Sequence, residues 1–249
     1  MHMNERDGSS GSTAVGSGHR VAALLRAAAA GSFPPVTGAV EVVPRCPPGN
    51  VDWVVSFTGH AVVASARRDR DIHARGPDGY GGALAPTFLL WLAGDDGRVG
   101  CQDVVLVASG QGRADGSLSP RHDLDGHARV EHARQLRSDV HVYGDDTGFV
   151  TLGIGLGGLA EMSVEITAEH GRGRGLGRSL IRRGLALADP ADVVVAQVTP
   201  GNARSLRAFL AAGFVPVGSA VAITPQQDRS DAGRTGGRAA ASRPEREST

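Results

Sequence analysis

The stretch Thr167-Ala168-Glu169-His170-Gly171-Arg172-Gly173-Arg174-Gly175-Leu176-Gly177 decides the fold. Its last seven residues hold four glycines and two arginines. Before it, residues 159–166 are apolar and strand-like. After it, Leu176, Leu180, Ile181 and Leu185 recur at helical spacing, with Arg178, Arg182 and Arg183 on another face. The pattern is strand, glycine-rich turn, helix. Glycines let a backbone approach a ligand closely and aim several N–H groups into one space. The first turn of the helix adds unpaired N–H groups and the positive end of its dipole. Such a turn, ringed by Arg172, Arg174 and Arg178, is suited to an anion, and a pyrophosphate is its natural guest. An ordinary loop with solvated arginines has the same composition, so the hexapeptide alone leaves both readings open.

Working outward, residues 140–143 and 149–154 are apolar runs around Gly144-Asp145-Asp146-Thr147-Gly148, which predicts a hairpin. Residues 127–137 precede it as a helix. Downstream, residues 193–198 read as a buried strand, and residues 202–212 as a helix stopped by Gly213. A last strand covers residues 214–223. The order is hairpin, strand, helix, strand, helix, strand, which predicts an α/β chain with a mixed sheet.

Two motifs within this order resemble those of a known family. Arg172-x-x-Gly175-x-Gly177 resembles the Arg/Gln-x-x-Gly-x-Gly/Ala signature of the GNAT acetyltransferases. Asn202-Ala-Arg-Ser205-Leu-Arg-Ala-Phe209-Leu-Ala-Ala-Gly213-Phe214 is similar to that family's second motif, in which an Asn opens a helix ending in Gly-Phe. The resemblance covers about residues 140–223. It implies the GNAT acyl-CoA N-acyltransferase fold, with acetyl-CoA as co-substrate, no metal, and a small-molecule or peptide amine as acceptor. It also implies site residues. The backbone of Val164 and Ile166 would pair with the pantetheine arm. The turn Arg172, Gly173, Arg174, Gly175, Leu176 and Gly177 would hold the pyrophosphate. Asn202 and Phe209 would lie beside the cofactor. The strand before the turn and the strand at residues 193–198 would splay apart to admit the acetyl end.

Members of the family often carry a Glu on the strand before the turn as general base, acting directly or through water, and in one branch it lies eleven residues before the first signature position. Here that is Glu161. The amide of Glu165 would polarise the thioester carbonyl, like an oxyanion hole. A carboxylate suits the step, because an amine attacks only after losing its proton. A solvated strand residue is the plainer reading of Glu161. Many members also place a Tyr seven residues after the second motif's Asn. Here that position is Phe209, which cannot donate a proton. The sequence therefore supports two functions: N-acetyl transfer to a primary amine, or a non-catalytic acetyl-CoA-binding sensor or regulatory module. Transfer of a longer acyl group is a third.

The remaining signals bound the answer. The chain has 249 residues, 41% of them apolar, enough for a sizeable core. Charges balance at 26 against 26, which does not suggest a nucleic-acid partner. Every basic residue other than His is Arg, so Schiff-base chemistry on a Lys is excluded. No apolar run reaches the ~18 residues of a membrane span. Cys46 and Cys101 lack disulfide-scaffold or metal-ligand spacing and read as reduced thiols of a cytoplasmic protein. Gly153-Ile-Gly155-Leu-Gly-Gly158 matches G-x-G-x-x-G, but a strand follows where a Rossmann site needs a helix, so it reads as a turn. His122, His127 and His132 do not stack on one helix face, and His170 reads as loop. Residues 1–18 and 225–249 are polar and read as disordered tails. Residues 19–116 are expected to form a separate N-terminal α/β region, joined by a Gly/Ser/Asp-rich linker to the domain at residues 121–224. The sequence leaves the oligomeric state open, a homodimer being one arrangement.

Overall fold

The computed structural model describes residues 18–47, 49, 51–167 and 175–226. Arg172, Gly173, Arg174 and His170 lie outside these residues, as does most of both expected tails.

The chain begins with helix α1 (Arg20–Ala29), strand β1 (Ala39–Val43) and the hairpin β2 (Asp52–Phe57) and β3 (His60–Ala64). Helices α2 (Asp69–His73) and α3 (Pro86–Ala93) follow, then the long strand β4 (Arg98–Ser109). The second half opens with β5 (Ser119–Pro120) and α4 (Ala128–Leu136). It continues with β6 (Ser138–Gly144), β7 (Gly148–Ile154), β8 (Ala160–Ile166), α5 (Leu176–Leu187), β9 (Val193–Val198), α6 (Ala203–Ala211) and β10 (Val215–Thr224). The mixed α/β architecture and the hairpin–strand–helix–strand–helix–strand order are as expected. Short α2 was not anticipated, because its polar sequence Asp-Arg-Asp-Ile-His has no apolar period to read.

All ten strands join one sheet in the order β1-β3-β2-β10-β4-β9-β8-β7-β6-β5. Only β1–β3 and β8–β9 are parallel pairs. The expected division between residues 116 and 121 does not divide this sheet. β4, from the first half, lies between β9 and β10 and is hydrogen-bonded to both. The physical reason is that β4 carries a Val/Leu run at residues 104–107 whose two faces both need covering. A strand of that kind belongs in the middle of a sheet.

Alternation along the strands sorts the core. Val105, Val107, Val195, Trp53 and Val55 face α1 with Val21 and Leu25. Leu106, Val194 and Ala196 face α5 and α6 with Ile181, Leu185 and Phe209. Val54 and Val63 face Phe88 and Leu92 of α3. No described helix is long and apolar enough to cross a membrane.

Candidate active site

The parallel pair β8–β9 is short. Only Ala160 with Val194 and Glu161 with Val195 are in register. Beyond them the strands part, and the space between them opens into a cavity of about 920 Å³. Met162, Ser163 and Val164 line it from β8, Gln197 and Val198 from β9, and Asn202 and Phe209 from the following helix region. A second cavity of about 1120 Å³ lies against Val164, Glu165, Ile166, Gly175, Leu176 and Gly177. Arg129, Val164, Asn202 and Ser205 line both, so the two are contiguous.

Which backbone groups of β8 face the split follows from its other edge. The Thr167 N–H donates to Thr147 O at 3.1 Å, and Leu159 O accepts from Gly155 N–H at 2.8 Å. Between them β7 and β8 pair without a register shift. Backbone groups alternate along a strand. The odd-numbered residues of β8 therefore turn their N–H and C=O toward β7, and the even-numbered ones turn theirs away. Val164 and Ile166 present their backbone to the split. Glu165 does not. Its amide is spent on β7, so the expected carbonyl-polarising role of the Glu165 amide is corrected. The Glu165 carboxylate is engaged too, by Arg129 Nε at 2.6 Å and more distantly by His127 Nε2 at 3.7 Å.

Glu161, expected as a general base or a solvated strand residue, is buried and surrounded by partners. It is 1% exposed. Arg137 donates to its Oε1 from Nε at 2.8 Å and approaches from Nη2 at 2.7 Å. Gln197 Nε2 donates to the same oxygen at 3.3 Å, and the Leu156 N–H donates to Oε2 at 3.1 Å. Arg137 further donates to Thr151 Oγ1 at 3.0 Å, and Thr151 shares a hydrogen bond with Ser163 on the cavity wall. Glu161 is thus the centre of a buried polar network. The G-x-G-x-x-G run supplies part of its seat. That run forms the end of β7 and a single 3-10 turn, Leu156–Gly158, with no helix after it. At Gly155 any Cβ would collide with the Glu161 carboxylate.

Gly175 is the N-cap of α5, with φ +79°, a left-handed conformation that favours glycine. It has no side chain to cap the first-turn N–H groups, and Gly175, Leu176 and Gly177 line the second cavity. Gly177 lets α5 approach α6, with Ala208 Cβ at 3.4 Å from where its own Cβ would be. Asn202 caps α6, its Oδ1 accepting from the Ser205 N–H at 3.1 Å. Phe209 is buried and stacks edge-on against Phe214, with ring centroids 4.9 Å apart.

Sequence reasoning found Arg178 at the second cavity but missed Arg129, Arg204 and Arg207, which line it from α4 and α6. Helical spacing after Asn202 could have shown the last two. Arg129 arrives only through tertiary packing. His127 serves as the N-cap of α4, where its Nδ1 accepts from the Arg129 N–H at 3.2 Å. Among the described residues no group of three or more His, Cys, Asp or Glu converges as metal ligands would.

No protein-family model and no curated protein matches the chain. Solved structures similar to it are GNAT acetyltransferases. A GNAT-family protein from Novosphingobium aromaticivorans is 21% identical with a TM-score of 0.38, over 51% of this chain and 64% of that one. A GNAT-family acetyltransferase from Colwellia psychrerythraea is 11% identical with a TM-score of 0.33, over 51% of this chain and 56% of that one. The aminoglycoside acetyltransferase AAC(6')-Ib, solved with coenzyme A, is 20% identical with a TM-score of 0.31, over 53% of this chain and 98% of that one. This chain spans less than two thirds of the length of the first two.

Proposed function

We propose that the chain is a GNAT-type N-acetyltransferase, which binds acetyl-CoA between β8 and β9 and passes the acetyl group to a primary amine. The observation that carries this reading is the parting of β8 from β9 after two paired residues, with the backbone of Val164 and Ile166 turned into the gap. Unpaired backbone in a strand edge is a ready partner for the amides of a pantetheine arm. The contiguous second cavity supplies the phosphate end. There the first turn of α5 meets Arg178, Arg204 and Arg207, with Arg172, Gly173 and Arg174 just upstream in the chain.

In the reaction the neutral amine attacks the thioester carbonyl carbon. The N–C bond forms, the nitrogen gives up a proton to water or a nearby base, the C–S bond breaks, and the thiolate leaves. A free thiol has a pKa of ~8.5, so its anion is a fair leaving group without a proton donor. Phe209 accordingly need not replace the family's Tyr. It walls the cavity against water instead. Glu161 acts by position: it holds Arg137, Gln197 and the Leu156 amide, and so fixes the closed end of the gap.

Binding without transfer is the second reading, favoured by Phe209 and by the full engagement of Glu161. Thiol release from acetyl-CoA with a panel of primary amines separates the two. Turnover with an amine supports transfer. Tight acetyl-CoA binding with no turnover supports the sensor.

A further inference from the structure

The larger share of the 920 Å³ cavity is not needed by an acetyl group. It runs from the split under α4 toward Trp53 of β2 and the first residues of β4. Its charged wall consists of Arg98, Asp103, Arg129, Arg137 and Glu161, with His132 near them. Most of this charge is already matched. Arg137 is paired with Glu161 and Arg129 with Glu165. Two groups are left over. Arg98 has no carboxylate within ion-pair distance among the described residues. Asp103 accepts only a hydroxyl hydrogen bond, from Thr199 Oγ1 at 2.8 Å.

Their placement is unequal with respect to the reaction. The β4–β9 register pairs Val104 with Val198, which sets Asp103 beside Thr199 at the open end of β9. Asp103 and Thr199 both line the cavity there. Asp103 also shares a sheet face with Val105 and Val107, the face that carries Val195 and Glu161. Arg98 lies five residues back along β4, past a register shift against β10. At about 3.3 Å per residue their Cα atoms stand at most ~17 Å apart, and an Arg98 side chain laid along the strand toward Asp103 would bring the two charges to roughly 10 Å.

We infer that the acceptor is an amine carrying a carboxylate roughly 10 Å from its nitrogen. Its nitrogen lies at Asp103 and its carboxylate at Arg98. Asp103 then takes the proton released as the N–C bond forms, a role that Glu161 is too engaged to fill. A polycationic acceptor would set a positive charge against Arg98, and an α-amino acid is too short to reach both. The inference rests on the proposed transfer for the role of Asp103, but not for the binding of the acceptor.

Linear ω-amino acids and the matching alkylamines test it. With acetyl-CoA, 8-aminooctanoate should exceed octylamine in kcat/KM by about ten-fold or more, as one charge-assisted contact allows. Arg98→Ala should bring the two within about two-fold, and Asp103→Asn should lower kcat by about 100-fold, a usual loss for a general base. Thermal unfolding checks that each variant folds. A second arm needs no turnover. Cys101 is exposed and lines the cavity between Arg98 and Asp103. With coenzyme A present, 8-aminooctanoate should slow its alkylation by iodoacetamide more than octylamine does, and Arg98→Ala should abolish the difference. If carboxylate-dependent protection is seen without turnover, the acceptor site stands and the transferase reading fails. If neither ligand protects, or octylamine protects equally, the acceptor inference is overturned whatever the turnover.

Discussion

Arg137 and Glu161 form a buried ion pair, 2.7 Å from Nη2 to Oε1, with side chains 8% and 1% exposed. It ties the end of α4 to the one short stretch where β8 and β9 are joined. Removing one partner of a buried pair strands a charge in a medium that solvates it poorly. Arg137→Met should therefore cost about 3–5 kcal/mol of stability, read by urea unfolding. The double change Arg137→Met with Glu161→Met should cost less than the single one. A single-variant loss under about 1 kcal/mol would show that the pair is wetter than its burial implies.

Glu161→Gln separates an anchor from a base. A base's loss lowers kcat by ~10²–10⁴. An anchor's loss acts mainly through stability and geometry. We expect kcat to fall less than about ten-fold, with the shape of the pH–rate profile kept. A drop of about 10³ with loss of the acid limb would return the base role to Glu161.

Asp145 links the β6–β7 turn to α5. Burial pushes its carboxyl up, but hydrogen bonds from Thr147 and the Arg183 guanidinium outweigh this and hold its pKa at about 2, against an ordinary 3.8. A depressed carboxyl stabilises the fold fully above its unfolded pKa and loses that contribution as pH falls through the folded one. The difference in stability between wild type and Asp145→Asn should be on the order of 1 kcal/mol at pH 6, because solvent screens this partly exposed pair, and should shrink between pH ~4 and ~2. A difference independent of pH would contradict the assignment.

The two cysteines should differ in reactivity. Burial pushes the Cys46 thiol up to about 12, outweighing the hydrogen bond from Gly157. Cys101 is exposed. The thiolate is the nucleophile, so native protein at pH 8 should take up one equivalent of iodoacetamide quickly. The second should follow only on unfolding. Rapid uptake of two equivalents would show that Cys46 is not sealed in its core.

The order from β6 to β10 was legible because each element has a clean period and a clear stop, as with Leu176, Leu180, Ile181 and Leu185, or Gly213 after α6. What sequence could not show depends on sheet order. Nothing in residues 104–107 says that β4 inserts between β9 and β10, and that insertion brings Arg98 and Asp103 into the lining of the cavity. The engagement of Glu161 was hidden for a like reason, since Arg137 and Leu156 reach it only after α4 and the turn at residues 156–158 have packed. A glycine run read as a mere turn proves to be the seat of that carboxylate.

In the proposed reading the edge of β8 that faces the gap receives the cofactor. The Val164 N–H faces the gap and takes no part in the β7 ladder, so Val164→Pro removes it while sparing that ladder. Calorimetric titration of acetyl-CoA into wild type and Val164→Pro, at matched thermal unfolding midpoints, tests the claim most directly. Micromolar binding by wild type and at least about ten-fold weaker binding by the variant is the predicted result. Wild type that takes up no acetyl-CoA, or a folded variant that binds it equally well, would contradict the account.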